Sequence, residues 1–170
     1  GIYHAYPYAS KADNLVDDIP EGYTPFYLSH YGRHGSRWMT NDERYEWLYS
    51  YFADRKNLTP LGRKVEKAMR KVLDNARGNG GRLSRLGAIQ HEGIARRMYS
   101  RLPQIFAPGN RVKARASVVD RCVKSMLAFT AMMQSLQPAL EMDIAADSAD
   151  MAWIAYTAPE VKEQEQSLNI

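Results

Sequence analysis

Cysteine is nearly absent from this chain of 170 residues: Cys122 stands alone, so neither an internal disulfide nor a cysteine zinc site can form. Long apolar runs are missing too. The stretch from Met126 to Met133 is the most apolar and falls far short of the roughly 20 residues of a membrane span, and the first residues lack the basic-then-apolar order of a signal peptide. A soluble, already processed chain is expected. Aromatic residues do not interleave with the basic groups Arg82, Arg85, Arg96 and Arg97. That removes the stacking platform a nucleic-acid binder needs and leaves these arginines as solvated helix faces. What is present is ordinary globular composition, 45% hydrophobic and 25% charged, at a length suited to one domain. A net charge of +4 suits an anionic partner without identifying it.

Residues 1–22 are rich in Tyr, Asp and Pro without a sustained period and read as a surface arm. The segment Pro25 to Tyr31 carries β-favouring residues and then breaks at Gly32 and Gly35, which predicts a strand running into a loop. Two helices follow. Thr59 caps the first, Pro60 opens it, and Leu61, Val65, Met69 and Val72 share a face until Gly78. Ser84 caps the second, with Leu86, Ile89, Gly93, Ile94 and Met98 as the apolar side before Pro103. The openings Leu58 to Arg63 and Leu83 to Ala88 echo each other, which reflects similar capping chemistry.

After the turn at Pro108, Gly109 and Asn110, residues Arg111 to Ala116 alternate basic and apolar side chains, as a strand with one buried face does. A third helix is predicted from near Ser117, burying Val119, Cys122, Val123, Met126, Leu127, Thr130 and Met133. The methionines here are core filling. Strand, helix, helix, strand, helix is the order of an α/β layer with parallel strands. A short strand is expected over Ala139 to Ile144 and a helix start over Asp147 to Ile154, while Glu160 to Ile170 are polar and uncapped. The expected division is an arm at 1–22, an α/β region at 23–145 and the start of a helical insert or tail at 146–170.

Ligands of open α/β sheets bind beyond the carboxyl ends of the strands. The first predicted strand delivers Arg33 and Arg37 there, and the second delivers Arg115. Three guanidiniums directed at one point repel unless a multiply charged anion lies between them, and a phosphate monoester matches their planar fork. His34 stands between two of them, beside Gly35, whose missing side chain admits a ligand to the backbone. A neutral imidazole can attack phosphorus in line and carry the phosphoryl group until water removes it. As read, that chemistry calls for no metal and no cofactor. His30, which alternates with the buried strand positions, and Arg121, one turn into a helix, are expected at the margin of the site.

The run Arg33-His34-Gly35-Ser36-Arg37 resembles the R-H-G-x-R signature of the histidine acid phosphatases, the branch that includes phytases. Two further stretches follow in that family's order. Leu83-Ser84-Arg85-Leu86-Gly87-Ala88-Ile89-Gln90 is similar to its L-T-x-x-G-x-x-Q helix start. The stretch from Arg115 to Ser125 is similar to its R-S-T-D-x-x-R-T-x-x-S strand and helix. The version of the signature from Ser29 to Arg37 looks most like that of bacterial multiple inositol polyphosphate phosphatases, whose substrates include phytate. The resemblance runs from about Tyr23 to Trp153. It implies a phosphoglycerate mutase-like sheet domain, a phosphohistidine at His34, a clamp of Arg33, Arg37 and Arg115, and a periplasmic or secreted location.

The chain departs from the family at Met39, where proline is common, and at Ala116 and Ser117 within the R-S-T triplet. Nothing matches the late His-Ala-Glu or His-Asp motif that supplies the proton to the leaving alcohol. His91-Glu92 and His4-Ala5 are not at its place. Two expectations follow: an enzyme whose proton donor lies in a complementary C-terminal polypeptide, or a phosphate-binding fragment with little turnover.

Overall fold

The structure is a computed structural model describing residues 19–154 and 161. The expected arm up to residue 18, His4 within it, and the polar end apart from Val161 lie outside the described residues. The described helices are α1 (Glu43–Ser50), α2 (Pro60–Ala76), α3 (Arg85–Arg101), α4 (Asp120–Leu136) and α5 (Met151–Ile154). Strands β1 (Arg111–Arg115) and β2 (Glu141–Ala145) complete the set.

Local chemistry decides where the two middle helices begin. Thr59 Oγ1 accepts from the Gly62 amide at 3.0 Å, and Ser84 Oγ accepts from the Gly87 amide at 3.2 Å. The echoing openings are therefore the same N-cap used twice, each contributing about 1 kcal/mol. Pro60 occupies the start of α2, where its missing N–H costs nothing. α4 begins three residues later than the sequence predicts. Its N-cap, Val119, makes no side-chain cap bond, and Asp120 supplies a favourable charge in the first turn.

β1 and β2 pair in parallel, Val112 opposite Met142 and Ala114 opposite Ile144, with α4 as the connection between them. This is the α/β arrangement expected. The core lies where α3 packs on α4 and α4 meets β1. Ala95, Phe106, Met133 and Leu140 are its buried centre, with Met98, Phe129, Val112 and Met142 packed around them. Among the described residues no helix is long and apolar enough to cross a membrane.

Two expectations need correction, and one helix was not foreseen. First, residues 25–31 form no strand. An extended segment becomes a strand only when a neighbour satisfies its backbone, and no described residue pairs with it. Leu28 packs against the core and His30 stacks on Phe129, while Phe26 is 93% exposed.

Second, the buried faces of α2 and α3 are rotated from the apolar ones. On α2, Glu66, Leu73 and Ala76 are buried, and Leu61 and Val72 are exposed. On α3 the buried stripe is Gly87, His91 and Ala95, and Leu86 and Ile89 are exposed. On α2 a polar residue with internal partners holds the face inward. Glu66 accepts from Tyr49 Oη at 2.8 Å and from Arg70 Nε at 3.0 Å, with Arg55 at 3.5 Å. Leu127 of α4, expected inside, is exposed as well.

Third, α1 has no apolar period to announce it. It is docked on α2 through the Tyr49–Glu66 bond, over which the Arg70 guanidinium stacks at 5.7 Å from the Tyr49 ring.

Candidate active site

Residues 33–38 form a loop pinned against the N-terminal ends of α3 and α4. The Gly35 amide donates to Ser125 Oγ of α4 at 3.1 Å, and that hydroxyl donates to the Arg121 carbonyl at 2.7 Å. The Ser36 amide donates to Gln90 Oε1 of α3 at 2.8 Å. The Ser36 carbonyl accepts from both the amide (2.9 Å) and the hydroxyl (2.8 Å) of Ser84. Beyond it, Arg37 and Leu83 form an antiparallel bridge, and the Trp38 amide donates to the Arg82 carbonyl at 3.0 Å. The cap residue of α3 thus serves two elements at once.

Glycine is required twice in this contact. A Cβ on Gly35 would lie 2.6 Å from Gly87 Cα, and one on Gly87 would lie 2.9 Å from the Ser36 nitrogen. Backbone meets backbone, so no side chain can rotate out of the way.

His34 is half-buried, and its Nδ1 lies 2.8 Å from the Gly35 carbonyl oxygen. A carbonyl can only accept, so Nδ1 carries the hydrogen and Nε2 is left with its lone pair. Burial is the main reason the His34 pKa lies below that of free imidazole. The Gly35 bond opposes this, and the charges of Arg121, Arg33 and Arg37 add to the lowering. The ring therefore stays neutral into more acidic solution than an exposed histidine would.

The charges of Arg121, Arg33 and Arg37 act on His34. Arg115 is taken up by carboxylates. It donates to Asp143 Oδ1 at 2.9 Å and to the Asp143 carbonyl at 2.9 Å, and lies 3.6 Å from Asp150. That pairing, with Arg111 at 3.0 Å, holds the Asp143 carboxyl below the usual range, the Arg115 bond being the first cause. Arg121, expected at the margin, thus acts on His34, and Arg115, expected in the clamp, is paired with Asp143 and Asp150. Strand-end position alone did not show that Asp143, in register on the neighbouring strand, would claim the guanidinium.

Arg37 donates to the Trp38 carbonyl at 2.7 Å through one terminal nitrogen. Its Nε, and that of Arg121, are buried without a hydrogen-bond partner among the described residues. Each such donor costs about 1–3 kcal/mol. The third buried unpaired atom, Asp42 Oδ1, is an acceptor near Gly80 and does not belong to this pair. Arg121 also lines a cleft of about 570 Å³ with Thr40, Gly81, Arg82, Asp120 and Lys124.

His30 is exposed and stacks on Phe129 of α4, ring centroids 6.4 Å apart. Its charge acts on His91. Sequence reasoning did not assign roles to Ser125 and Gln90, although both stood inside stretches that resemble family motifs; their hydroxyl and amide groups pin the loop. No group of His, Cys, Asp or Glu suited to a metal ion occurs among the described residues. Comparison with protein-family models and with curated proteins finds no match.

Proposed function

We propose that this chain carries the nucleophile and phosphate clamp of a histidine acid phosphatase. In this reading it hydrolyses phosphomonoesters through a phosphohistidine at His34, with inositol polyphosphates such as phytate as the preferred substrates. One observation carries the reading: a histidine with Nε2 free lies in the field of three arginines, two of which hold buried N–H groups with no described acceptor. The βαβ unit behind it is taken as part of a phosphoglycerate mutase-like sheet domain of a periplasmic or secreted protein.

The Nε2 lone pair attacks phosphorus, and the bond to the ester oxygen breaks with its electron pair on the departing alcohol, which then takes up a proton. Water next attacks the phosphohistidine, the P–N bond breaks, and Nε2 regains its lone pair as phosphate leaves. Arg33, Arg37 and Arg121 hold the phosphoryl oxygens, where positioning and charge stabilisation do most of the work of such transfers. The lowered His34 pKa keeps the attacking lone pair available in acid.

A second reading is phosphate binding without turnover. It is favoured because Asp120, the carboxylate that lines the cleft beside Arg121, is held by Lys124 at 3.0 Å rather than by the site. A missing proton donor costs about 100-fold to 10,000-fold in rate. Rapid quench with a labelled phosphomonoester separates the two. Labelled histidine in the wild type and none in His34→Ala supports the phosphatase; phosphate binding without any labelled histidine supports the binding module.

A further inference from the structure

Asn79–Gly80 is the one Asn-Gly pair in the chain, and it lies between α2 and α3. An asparagine followed by glycine is the least protected against loss of its side-chain amide, because the backbone nitrogen that attacks it belongs to a residue with no Cβ to hinder the approach. Every other asparagine here is followed by a larger residue.

Residues 79–82 form a turn in which the Arg82 amide donates to the Asn79 carbonyl at 3.0 Å, with Gly81 in the left-handed region at φ 71°. The Gly80 amide has no hydrogen-bond acceptor among the described residues, and Gly80 is exposed. Its nitrogen is open to react. Asn79 Nδ2 donates to the Asn75 carbonyl at 2.9 Å, an exposed bond and the one hydrogen bond of that side chain among the described residues. Opening it frees the amide carbon. Asn75, by contrast, lies within α2, and the amide of Ala76 after it belongs to the helix.

The same turn holds the far end of the candidate loop. The Gly81 amide donates to the Met39 carbonyl at 2.7 Å, the Trp38 amide to the Arg82 carbonyl at 3.0 Å, and the Gly78 amide to Asp42 Oδ2 at 2.7 Å. Gly80, Gly81 and Arg82 also line the cleft beside Arg121. A Cβ on Gly80 would lie 3.2 Å from the Thr40 carbonyl oxygen, so the turn has little room to be reshaped.

We propose that Asn79–Gly80 is a site of spontaneous deamidation, and that its isoaspartyl product releases the turn from the candidate loop and weakens the hold on phosphate. The Gly80 nitrogen gives up its proton and bonds to Asn79 Cγ, the Cγ–Nδ2 bond breaks, and Nδ2 leaves as ammonia, closing a cyclic imide. Water then opens the ring at either carbonyl, to aspartate or isoaspartate, so each event consumes a water and releases an ammonia. In isoaspartate the chain runs through the former side chain and is longer by a carbon, while the carbonyl that accepted from Arg82 becomes a free carboxylate. That negative charge, next to Gly80 at the cleft, competes with phosphate for Arg82 and Arg121. The effect on phosphate rests on the clamp proposed above, whereas the conversion does not.

The test holds the full chain, as wild type, Asn79→Gln and Asn79→Asp, in warm, mildly alkaline buffer and samples it over days. Peptide mapping with isoaspartyl methyltransferase labelling locates the converted residues, and calorimetry with inorganic phosphate and the urea midpoint read the consequence. Asn79 should convert first and furthest, with affinity and midpoint falling in proportion to the converted fraction. Asn79→Gln, whose ring closure is far slower, should hold both. Fresh Asn79→Asp has the charge without the extra carbon and should lose less than converted wild type; an equal loss would overturn the role given to the turn. Intact Asn79 after another asparagine has converted overturns the proposal, as does conversion at Asn79 with affinity and midpoint unchanged. Fresh wild type that binds no phosphate defeats the clamp reading instead, and the map and the midpoint still decide the fate of the turn.

Discussion

Residues 23–31 and residues 33–38 are neighbours in the chain and opposites in the structure. The first segment is apolar by composition and extended, yet Phe26, Tyr27 and Tyr31 face outward and no described strand pairs with it. The second is short and glycine-bearing, yet side chains of α3 and α4 and the backbone of the segment leading into α3 hold it at nearly every residue. Order at the site is thus delivered by helix N-termini from elsewhere in the sequence, and not inherited from the segment that leads into it. Polar pins, each of modest net value, achieve this because they act on successive residues of one loop.

The sharpest way to break the contrast is through the glycines. Gly87→Ala places a methyl group 2.6 Å from Leu83 Cδ1 and 2.9 Å from the Ser36 nitrogen. The expected outcome is a loss of about 3 kcal/mol in urea unfolding, the upper range for overpacking, with loss of phosphate binding by calorimetry. Unchanged affinity in that variant would show that the loop is held by something other than this contact. Next in size is the exchange of arginine roles. Arg121→Ala should weaken phosphate binding by about 10- to 100-fold, the value of a hydrogen bond to a charged group, and Arg115→Ala should weaken it much less. A larger loss from Arg115→Ala would restore the strand-end arginine to the clamp.

A smaller effect is expected with pH. His34 and His91 both have pKa values lowered in the folded protein, burial being the first cause in each. In the unfolded chain each takes up a proton near pH 6.5, while the folded chain resists doing so. Stability from these two residues is therefore fully present above that pH and falls as the solution is acidified toward the folded values. Melting curves from pH 7.5 to 5 should descend more steeply for the wild type than for His91→Gln; parallel curves would mean that His91 is not held neutral. The smallest effect belongs to the leading segment. Phe26→Ser should change stability by less than about 0.5 kcal/mol, as exposed substitutions do, and a large shift in urea midpoint would show that this side chain is covered in solution.

Features set by near neighbours in the sequence were the legible ones. Thr59 and Ser84 announced their helices because a cap bond spans only three residues, and the alternation from Arg111 announced β1 for a similar reason. The candidate loop was legible as chemistry, through the spacing of His34 between arginines and glycine. What escaped depended on distant partners. Glu66 turned α2 away from its most apolar face because Tyr49 waited for it. The pairing of Arg115 turned on Asp143, which comes beside β1 only after α4 has carried the chain back. The predicted strand at 25–31 failed on the same ground, since β propensity describes a surface that fits a neighbour and cannot supply one.

The meeting of Gly35 with Gly87 has a mechanical consequence. With no side chain between them, the loop cannot slide along α3 independently, so the two should open together or not at all. In hydrogen exchange, the amides of Gly35 and Ser36 should then be as slow as those in the middle of α3. The nucleophile would inherit the stiffness of a helix while remaining, in backbone form, a loop.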